Sequence, residues 1–253
     1  MTKPDASNSG TIPAVSDLSG PLLVALLGGD EAGTEEAFRK AVGRGADLAI
    51  LARDLIEPAL DEVGRMWHRG EVSVAEEHLA SALVSHGFAH MAAALPAPPL
   101  GAPRLLLACL AGEFHELGVR IVAEVARMAG WQVDLLGANT PRECAIRFIA
   151  LHRPEAVGLS LALAAHLPEC GRTVDEIRNT SPRTKILVGG YVFRHDAALC
   201  GLTGADACFA DAVALRDWLV AHRTCLSESA APRAEACCAA VSAALRKKID
   251  AGR

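Results

Sequence analysis

Apolar residues recur at helical spacing through the first third of the chain. Between residues 19 and 95 they return every three or four positions, as at Leu51 and Leu55, and this period marks one face of an α-helix. Gly70 interrupts the pattern before a further helix, which is predicted over about 73–93. Several amphipathic helices with short connections bury their apolar faces against one another, so the pattern predicts an all-α helical bundle.

The pattern changes after a proline-rich segment. Residues 96–103 contain four prolines, through which a helix cannot continue, and this segment is predicted to be a linker. Over residues 104–223 short apolar runs alternate with amphipathic helices, which is typical of an α/β fold with a parallel sheet and helices on both faces. The predicted strands are 105–110, 132–136, 156–161, 185–188 and 207–210.

The two ends of the chain differ in composition from its middle. Residues 1–18 are rich in Ser, Thr, Asn, Pro and Gly, and they are interpreted as a disordered tail. Residues 224–253 are interpreted as an extension with an alanine-rich helix over about 232–248. We therefore expect two ordered domains, over 19–95 and 104–223, with a flanking segment at each end.

The composition of the 253 residues is that of a globular protein. Apolar residues make up 51% and charged residues 22%, and the formal net charge is −5. The sequence has no basic stripe, so direct binding to nucleic acid is not expected. No apolar run approaches the length of a membrane span and the N-terminus lacks a signal core, so we expect no membrane association and a cytoplasmic location.

The eight cysteines have neither metal-ligand spacing nor the arrangement of a disulfide framework. In a reducing compartment scattered cysteines are usually buried free thiols, and we interpret them in this way. The cysteines that this interpretation covers are Cys109, Cys144, Cys170, Cys200 and Cys208.

A histidine follows the first predicted strand, at the edge of the sheet where α/β proteins bind their ligands. It lies in the run Glu113-Phe114-His115-Glu116-Leu117-Gly118. Glu113 is placed to orient the imidazole of His115, as carboxylates often do for metal-bound histidines. Gly118 would let a bulky group pass close to the backbone. On position alone, a solvated loop histidine is the alternative. Other residues predicted at this edge are Asn139, Ser160, Gly189 and Gly190.

Taken together, these motifs resemble the cobalamin-binding domain shared by methionine synthases, corrinoid methyl carriers and mutases. The resemblance implies an α/β Rossmann-like (flavodoxin-like) cobalamin-binding domain in which His115 replaces the cofactor's own benzimidazole as the lower axial ligand of cobalt. It also implies that Glu113, Glu116 and Gly118 belong to the cofactor-binding loop. The residues implied to line the channel of the nucleotide tail are Ser160, Gly189 and Gly190.

The acid before His115 departs from the pattern of most enzymes in this family, which carry Asp where this chain has Glu113. The form Glu-x-His-Glu-x-Gly is similar to that of the light-sensing cobalamin regulators of the CarH type.

A second group of residues lies in the helical region, on both sides of the break at Gly70. Trp67-His68 precede the break and Glu77-His78 follow it, with nine residues between Trp67 and Glu77. By themselves they could be a core tryptophan and a solvated acid–histidine pair. The spacing resembles the helical-bundle cap of CarH-type regulators. It implies that Trp67 covers the upper ligand of cobalamin, that Glu77 and His78 flank it, and that His68 binds cobalt from above after light.

The resemblance extends over about residues 20–220, but the DNA-reading winged-helix domain of those regulators has no counterpart in the sequence. In this respect the chain is similar to antirepressors of the AerR and PpaA type, which act through a partner protein. It is also similar to photoreceptors that bind a bilin together with cobalamin. His86 and His90, four residues apart on one helix, are the candidates for contacting a bilin, and a partly exposed helix face is the alternative.

Two functions from different classes follow from the resemblance. In the first, the chain is a cobalamin-dependent photoreceptor in which light changes the upper ligand (adenosyl, methyl or hydroxo), and the cap rearranges to control a protein partner such as a transcription factor. A homo-oligomer is one form that this switch could take. In the second, the chain is a corrinoid methyl carrier, and storage or transfer of cobalamin is a third possibility. No set of catalytic side chains is evident, so we expect the chemistry to be that of the cofactor and the chain not to be an enzyme.

Overall fold

The computed structural model describes residues 15–227, and the chain divides into two compact units, Met1–Met91 and Ala92–Arg253. The first unit is helical and the second contains a parallel sheet with helices, so the predicted fold class is confirmed. Between the last helix of the first unit and the first strand of the second, residues 94–103 form neither helix nor strand. The helix predicted over about 232–248 lies outside the described residues.

The helical unit is built from five α-helices, and a π-helical segment, Ala52–Ile56, joins the third to the fourth. Pro58 stands in the first turn of the fourth helix, where proline is tolerated because an N–H at this position has no α-helical partner. The largest fully buried side chains of this unit include Leu22, Leu26, Phe38 and Phe88. The helices are α1 (Ser19–Gly28), α2 (Glu31–Gly43), α3 (Leu48–Leu51), α4 (Glu57–His68) and α5 (Val74–Ala93).

The start of α5 is fixed by a capping box. The backbone N–H of Ser73 donates to Oε2 of Glu76 at 2.7 Å, and the N–H of Glu76 donates to Oγ of Ser73 at 3.3 Å. Two N–H groups without a helical partner are thereby satisfied at the first turn. Glu77 and His78 lie in and just after this turn. The capping box therefore determines the position at which their side chains leave the helix.

The N-terminal boundary of the helical unit differs from the prediction. Val15 is 2% exposed and Leu18 is 6% exposed, and Ser16–Leu18 form a short 3-10 helix that leads into α1. These four residues belong to the folded unit because their two apolar side chains are buried, so the end of the predicted tail at residue 18 is wrong. Residues 1–14 lie outside the described part of the chain.

The second unit contains a five-stranded parallel sheet with the order β2-β1-β3-β4-β5. The chain passes from β2 across β1 to β3, so the strand order reverses beside β1 and leaves a crevice between the ends of β1 and β3. The strands are β1 (Arg104–Cys109), β2 (Gln132–Gly137), β3 (Ala156–Ser160), β4 (Lys185–Gly189) and β5 (Ala207–Phe209).

Both faces of the sheet are covered by helices, which explains why the central strands β1, β3 and β4 are largely apolar. One face buries Leu106 and Val157 against residues of α7 and α8, and the other buries Leu105 and Leu107 against residues of α6 and α10. The helices are α6 (Leu117–Met128), α7 (Arg142–His152), α8 (Leu167–Thr180), α9 (Tyr191–His195) and α10 (Ala212–Ser227). Because α10 continues to Ser227, the predicted domain end at residue 223 falls inside a helix. Among the described residues, none of the helices has the length and apolar character needed to cross a membrane.

Two cysteines correct the prediction of free thiols. Cys200, in a 3-10 segment after α9, and Cys208, in β5, form a disulfide with their Cα atoms 5.9 Å apart. The turn between them brings their side chains together, and the scattered spacing in the sequence does not reveal this. Cys109 and Cys170 are buried free thiols as predicted, whereas Cys144 is a free thiol that is exposed.

Candidate functional site

The loop between β1 and α6 carries Glu113 and His115 to the carboxyl edge of the sheet, beside the crevice between β1 and β3. A second loop, between β3 and α8, faces the same edge and contains Ala162 and His166. Crevices at a reversal of strand order are the usual ligand sites of open parallel sheets. The predicted site residues of this unit therefore lie at the position that the topology favours for binding.

Glu113 is fully buried and accepts hydrogen bonds on both of its carboxylate oxygens. Oε1 accepts from the backbone N–H of His115 at 3.0 Å and lies 2.5 Å from Nδ1 of the same residue. Oε2 accepts from the backbone N–H of Ala162 at 2.8 Å and lies 2.9 Å from Nδ1 of His166. One carboxylate thus connects two imidazoles and two loops.

The charge of Glu113 follows from these contacts. Burial by itself raises the pKa of the carboxyl group, but the hydrogen bonds from His115, Ala162 and His166 outweigh burial and lower the pKa to about 2. Near neutral pH Glu113 is therefore an anion, and an ionised carboxylate only accepts hydrogen bonds. Both Nδ1 atoms that face it must carry the donated proton.

The proton on Nδ1 of His115 determines what the other ring nitrogen can do. In a neutral imidazole with Nδ1 protonated, Nε2 has a free lone pair and is the atom that can bind a metal. The His115 side chain is 63% exposed, whereas Glu113 beneath it is 0% exposed. This is the arrangement of a metal-binding histidine oriented by a carboxylate.

Asn139, in the loop after β2, holds the His115 loop in place. Its Oδ1 accepts from the N–H of Gly112 at 2.8 Å, and its own N–H donates to the carbonyl of Glu113 at 2.8 Å. The residue has a φ of +47°, in the left-handed region that Asn tolerates better than most residues. These two hydrogen bonds connect the backbone around Glu113 to the loop after β2. The backbone that carries the imidazole of His115 is therefore held in one position.

Glu116 and Gly118 were both predicted to lie in the binding loop, and the structure gives them different surroundings. The carboxylate of Glu116 accepts from the N–H of Ala138 at 3.2 Å and pairs with Arg120 at 2.8 Å. A Cβ added to Gly118 would meet no atom within 4 Å. The packing of the described protein therefore does not require glycine at position 118, and its missing side chain leaves space at the start of α6.

Neighbouring backbone requires glycine at Gly190 and packs closely against Gly189. A Cβ on Gly190, whose φ is +122°, would overlap the carbonyl oxygen of Leu161, and a Cβ on Gly189 would lie 3.2 Å from the carbonyl oxygen of Phe209. The sequence suggested that these glycines permit the approach of a ligand. The structure shows that the backbone of the neighbouring strands, at Leu161 after β3 and Phe209 in β5, approaches them closely.

Ser160 ends β3 next to the first strand. Its Cα pairs in the sheet register with Cys109 on one side and with Gly189 on the other. The thiol of the adjacent Cys109 donates to the carbonyl oxygen of His115 at 3.7 Å, and its pKa is raised to about 12, mainly by burial. Ser160 thus lies at the predicted edge, between β1 and β4.

Large apolar side chains are exposed in the segments that follow the strands at the same edge. Phe114 is 68% exposed, Leu163 after β3 is 48% exposed, and Tyr191 at the start of α9 is 53% exposed. Together with the free Nε2 of His115 and the open space at Gly118, this edge fits a large, partly apolar group that carries a metal ion.

The first unit presents Trp67 and His68 at the end of α4. Trp67 is 46% exposed, and its ring centroid lies 4.9 Å from that of His68, with the rings tilted. The helix is closed by Gly70, which has a φ of +72° and donates its N–H to the carbonyl of Trp67 at 2.9 Å. Both aromatic side chains therefore sit at the start of a turn, as the sequence predicted.

Glu77 and His78 form a pair on the first turns of α5. Nδ1 of His78 lies 2.6 Å from Oε2 of Glu77, and Oε1 of Glu77 accepts from the hydroxyl of Ser81 at 3.0 Å. The His78 side chain is 75% exposed. The two members of this predicted pair are therefore in contact, and the ring of His78 is exposed to solvent in the described unit.

His86 and His90 link α5 to α2. Nδ1 of His86 lies 2.7 Å from Oε1 of Glu31, and Nδ1 of His90 lies 2.6 Å from Oε1 of Glu35. Contacts of this kind between helices need no further ligand to explain them. A role of the two histidines in binding a bilin stays a prediction.

His166 is the site residue that the sequence did not reveal. It lies 53 positions after Glu113, in a 3-10 turn, Ala164–His166, just before α8. The only feature of the sequence that indicates His166 is its position as a polar residue shortly after the third predicted strand. The contact with Glu113 depends on β1 and β3 being neighbours in the sheet, which is a property of the fold.

Two family models match the chain, and each is described as a B12 binding domain. One matches residues 20–91 and the other residues 103–217, so they fall on the helical unit and on the sheet-containing unit.

Two repressors of Myxococcus xanthus are similar in sequence. The HTH-type transcriptional repressor CarH is 36% identical over 149 residues, which are 58% of this chain and 49% of the repressor. The HTH-type transcriptional repressor CarA is 34% identical over 144 residues, which are 57% of this chain and 48% of that protein. The chain thus spans about half the length of these two curated relatives.

Corrinoid proteins are more distant relatives. A corrinoid protein of Desulfitobacterium hafniense is 21% identical over 182 residues, which are 70% of this chain and 84% of that protein. The structure of the monomethylamine corrinoid protein of Methanosarcina barkeri matches with a TM-score of 0.65 at 18% identity, over 82% of this chain and 99% of that one. At this identity the structural match shows a shared fold. These relatives are named as repressors and corrinoid proteins, and none of the names is that of an enzyme.

Proposed function

We propose that this chain, which belongs to the B12-binding-domain family, is a cobalamin-based regulatory protein that responds to light. The observation that carries the proposal is the pairing of His115 with Glu113. A buried carboxylate accepts the Nδ1 proton, while Nε2 of a largely exposed imidazole stays free for a metal. The two repressors at 36% and 34% identity support regulation as the output.

In this proposal the residues of the sheet edge hold the cofactor from below. When bound, cobalamin would supply a cobalt ion and its light-sensitive chemistry. His115 would hold the cobalt through Nε2 and Glu113 would orient the imidazole, while Gly118 leaves the start of α6 open. The residues proposed to line the channel of the nucleotide tail are Ser160, Gly189 and Gly190.

The helical unit carries a second set of residues that are proposed to contact cobalamin. Trp67 is exposed, although burial of a large aromatic side chain is energetically favourable. Its exposure therefore favours a bound group that covers it. His68 stands next to it at a helix end and has an imidazole that is a good ligand for cobalt. We propose that Trp67, Glu77 and His78 contact the upper ligand and that His68 replaces it after illumination.

The signal is proposed to pass to a protein partner such as a transcription factor, with a change of oligomeric state as one route. A regulator needs an element with two states that a local ligand change biases. An exchange of the upper ligand between an alkyl or hydroxo group and His68 would be such a change. The native upper ligand is adenosyl, methyl or hydroxo in this proposal.

A corrinoid methyl carrier is the second candidate function. It is supported by the corrinoid protein that is 21% identical over 70% of this chain. The exposed pair of Trp67 and His68 favours the regulator, because a methyl carrier must leave the upper face free for its partner enzymes.

The proposal is tested by absorption spectra of the full chain loaded in the dark with adenosyl-, methyl- or hydroxocobalamin, before and after green light. We expect a spectrum in which an imidazole of the protein is bound below and the benzimidazole is displaced, and a lasting spectral change after light in at least one form. His115→Ala should lose the dark imidazole signature. Identical dark spectra of His115→Ala and the unmodified chain would contradict the assignment of His115. A loaded protein that passes its methyl group to an added thiol and shows no lasting light product would favour the methyl carrier.

A further inference from the structure

The helices α2 and α5 are joined by two matching pairs of histidine and glutamate. Nδ1 of His86 lies 2.7 Å from Oε1 of Glu31, and Nδ1 of His90 lies 2.6 Å from Oε1 of Glu35. The two histidines are four residues apart on α5, and the two glutamates are four residues apart on α2. Residues at this spacing are neighbours on one face of a helix, so both imidazoles stand on the same side of α5.

The two helices pack closely between these pairs. Gly87 directly follows His86, and a Cβ added to Gly87 would lie 3.1 Å from Cε2 of Phe38 and 3.7 Å from Cγ2 of Thr34. The side chains of Phe38 and Thr34 are buried. The missing side chain of Gly87 therefore lets α2 approach α5, and the close packing fixes the positions from which both pairs extend.

The contacts with the glutamates decide which nitrogen of each ring remains free. An ionised carboxylate only accepts hydrogen bonds, so Nδ1 of each imidazole is the donor. Nε2 of a neutral imidazole then carries no proton and has the lone pair that can bind a metal ion. The side chains of His86 and His90 are 67% and 66% exposed, so an ion in solvent can reach both rings. The contacts between the helices use Nδ1 alone.

Two imidazoles four residues apart on one helix can bind the same metal ion. Their Cβ atoms are about 5–6 Å apart at this spacing, and the two histidines of the helical His-Glu-x-x-His motif hold one zinc ion in this way. Imidazole nitrogen is a ligand that zinc, nickel and copper ions prefer. A carboxylate that accepts the proton of the other ring nitrogen is the usual partner of a metal-bound histidine.

We propose that His86 and His90 form a chelating site for a divalent transition-metal ion of the zinc, nickel and copper class, with Nε2 of each ring as a ligand. Glu31 and Glu35 are positioning residues, because they accept Nδ1–H and hold the rings. Among residues 15–227 no group of three or more His, Cys, Asp and Glu side chains is arranged to hold a metal ion. The chain therefore supplies two ligands here, and water fills the other positions. This inference goes beyond the proposed function and involves no cobalamin.

The first test locates the ion with long-range ¹H–¹⁵N spectra of the full, cofactor-free chain in mildly alkaline buffer. Without metal we expect Nδ1–H and a free Nε2 for both His86 and His90. Added Zn²⁺ should move both Nε2 signals together and leave the protons on Nδ1. Mg²⁺ is the control ion, because it prefers oxygen ligands and should leave the imidazole signals unchanged.

Three results of this test would overturn the proposal. The first is a pair of Nε2 signals that do not move at about 1 mM Zn²⁺, a concentration that detects even weak binding. The second is a proton on Nε2 of either ring in the metal-free chain, because Nδ1 could then not donate to its glutamate. The third is an equal response to Mg²⁺, which would mean that oxygen atoms bind the ion.

The second test measures the stoichiometry and Kd of Zn²⁺ binding to the full chain by calorimetry. His86→Ala and His90→Ala should each bind one Zn²⁺ fewer at the concentration that saturates this site. They should also lose the corresponding rise in Tm, because an ion that binds the folded chain stabilises it. His152→Ala is the matched control, because its histidine ends α7 in the other unit, and it should bind Zn²⁺ like the unmodified chain. Equal binding by all four proteins would refute the site.

The role of the two glutamates is tested by replacing both of them. A variant with Glu31→Ala and Glu35→Ala should keep the number of Zn²⁺ ions bound, but its Kd for this site should rise about 10–100-fold. The variant with Glu31→Gln and Glu35→Gln should show a smaller rise, because amide oxygens still accept Nδ1–H. An unchanged Kd in the alanine variant would overturn the positioning role. If a substituted chain fails to fold, the ¹⁵N spectra of the unmodified chain still decide whether His86 and His90 bind the ion.

Discussion

Gly190 lies so close to Leu161 that a Cβ on the glycine would overlap the carbonyl oxygen of the leucine. The φ of Gly190 is +122°, a conformation that residues with a side chain rarely adopt. The N–H of Leu161 donates to the carbonyl of the preceding Gly189 at 2.9 Å, so the contact is held by the sheet. The glycine pair after β4 is thus part of the framework on which the candidate site stands.

The first prediction follows from this contact. Gly190→Ala should lower the free energy of unfolding of the cofactor-free protein by at least about 2 kcal/mol, because both the φ angle and the overlap with Leu161 must be relieved. Urea unfolding followed by circular dichroism measures the change. A Gly190→Ala protein as stable as the original would contradict the backbone geometry described for this loop.

Gly118 provides the contrasting prediction. A Cβ at this position meets no protein atom, so Gly118→Ala should leave the free energy of unfolding within about 1 kcal/mol of the original, and a small gain is expected from helix propensity. Gly118→Leu should weaken cobalamin binding about tenfold or more, since the larger side chain would fill the space beside His115. Titration of the folded variants with hydroxocobalamin tests this, and unchanged binding by Gly118→Leu would show that the cofactor does not approach α6 there.

Glu113 should be important for stability as well as for binding. Glu113→Ala leaves the buried N–H groups of His115 and Ala162 without their acceptor, and we expect a loss of about 2–3 kcal/mol in the free energy of unfolding. Glu116→Ala is the control, because Glu116 lies in the same loop but pairs with Arg120 near the surface, and it should lose about 1 kcal/mol or less. Equal losses in the two variants would argue against a buried anion at Glu113.

The cysteines should react with alkylating reagents according to their burial. Burial raises the pKa of Cys170 to about 12, so at pH 8, well below this value, almost none of its thiol is in the reactive thiolate form. Cys144 is an exposed free thiol and should be labelled before Cys170. Peptide mapping by mass spectrometry after brief treatment with iodoacetamide distinguishes the two residues. Labelling of Cys170 as fast as Cys144 in the folded protein would contradict the described core.

His68 should act only after illumination. In the proposed switch, His68→Ala binds alkylcobalamin in the dark nearly as the original does but lacks the product spectrum in which an imidazole has replaced the upper ligand. His152→Ala is a useful comparison, because it removes a histidine at the end of α7 for which no contact with the cofactor is proposed. If the illuminated original and the illuminated His68→Ala give the same spectrum, the ligand exchange does not involve His68.

Local patterns in the sequence were sufficient for the elements and for part of the site. Leu51 and Leu55 repeat at helical spacing because a helix places residues four apart on one face, and the apolar run of β1 is short and continuous because both sides of the strand are buried. Glu113 and His115 are two residues apart, so their pairing depends on one loop. The capping box of Ser73 and Glu76 is equally local.

Tertiary structure decided the contacts between residues that are distant in the chain. His166 reaches Glu113 across 53 residues, because β3 is added beside β1. Cys200 and Cys208 are only eight residues apart, yet the turn into β5 determines that their sulfur atoms meet. Val15 belongs to the folded unit because its side chain is buried, although its neighbours in sequence have the composition of a tail.

Spacing along a few residues was enough to predict the order of helices and strands, the edge of the sheet that carries His115 and the acid beside it. The sharing of this acid with His166, the overlap that demands glycine at position 190 and the open space at Gly118 follow from the folded chain alone. They do so because hydrogen bonds and steric overlap act over a few ångströms in space, and the folding of the sheet determines which distant residues come within that range.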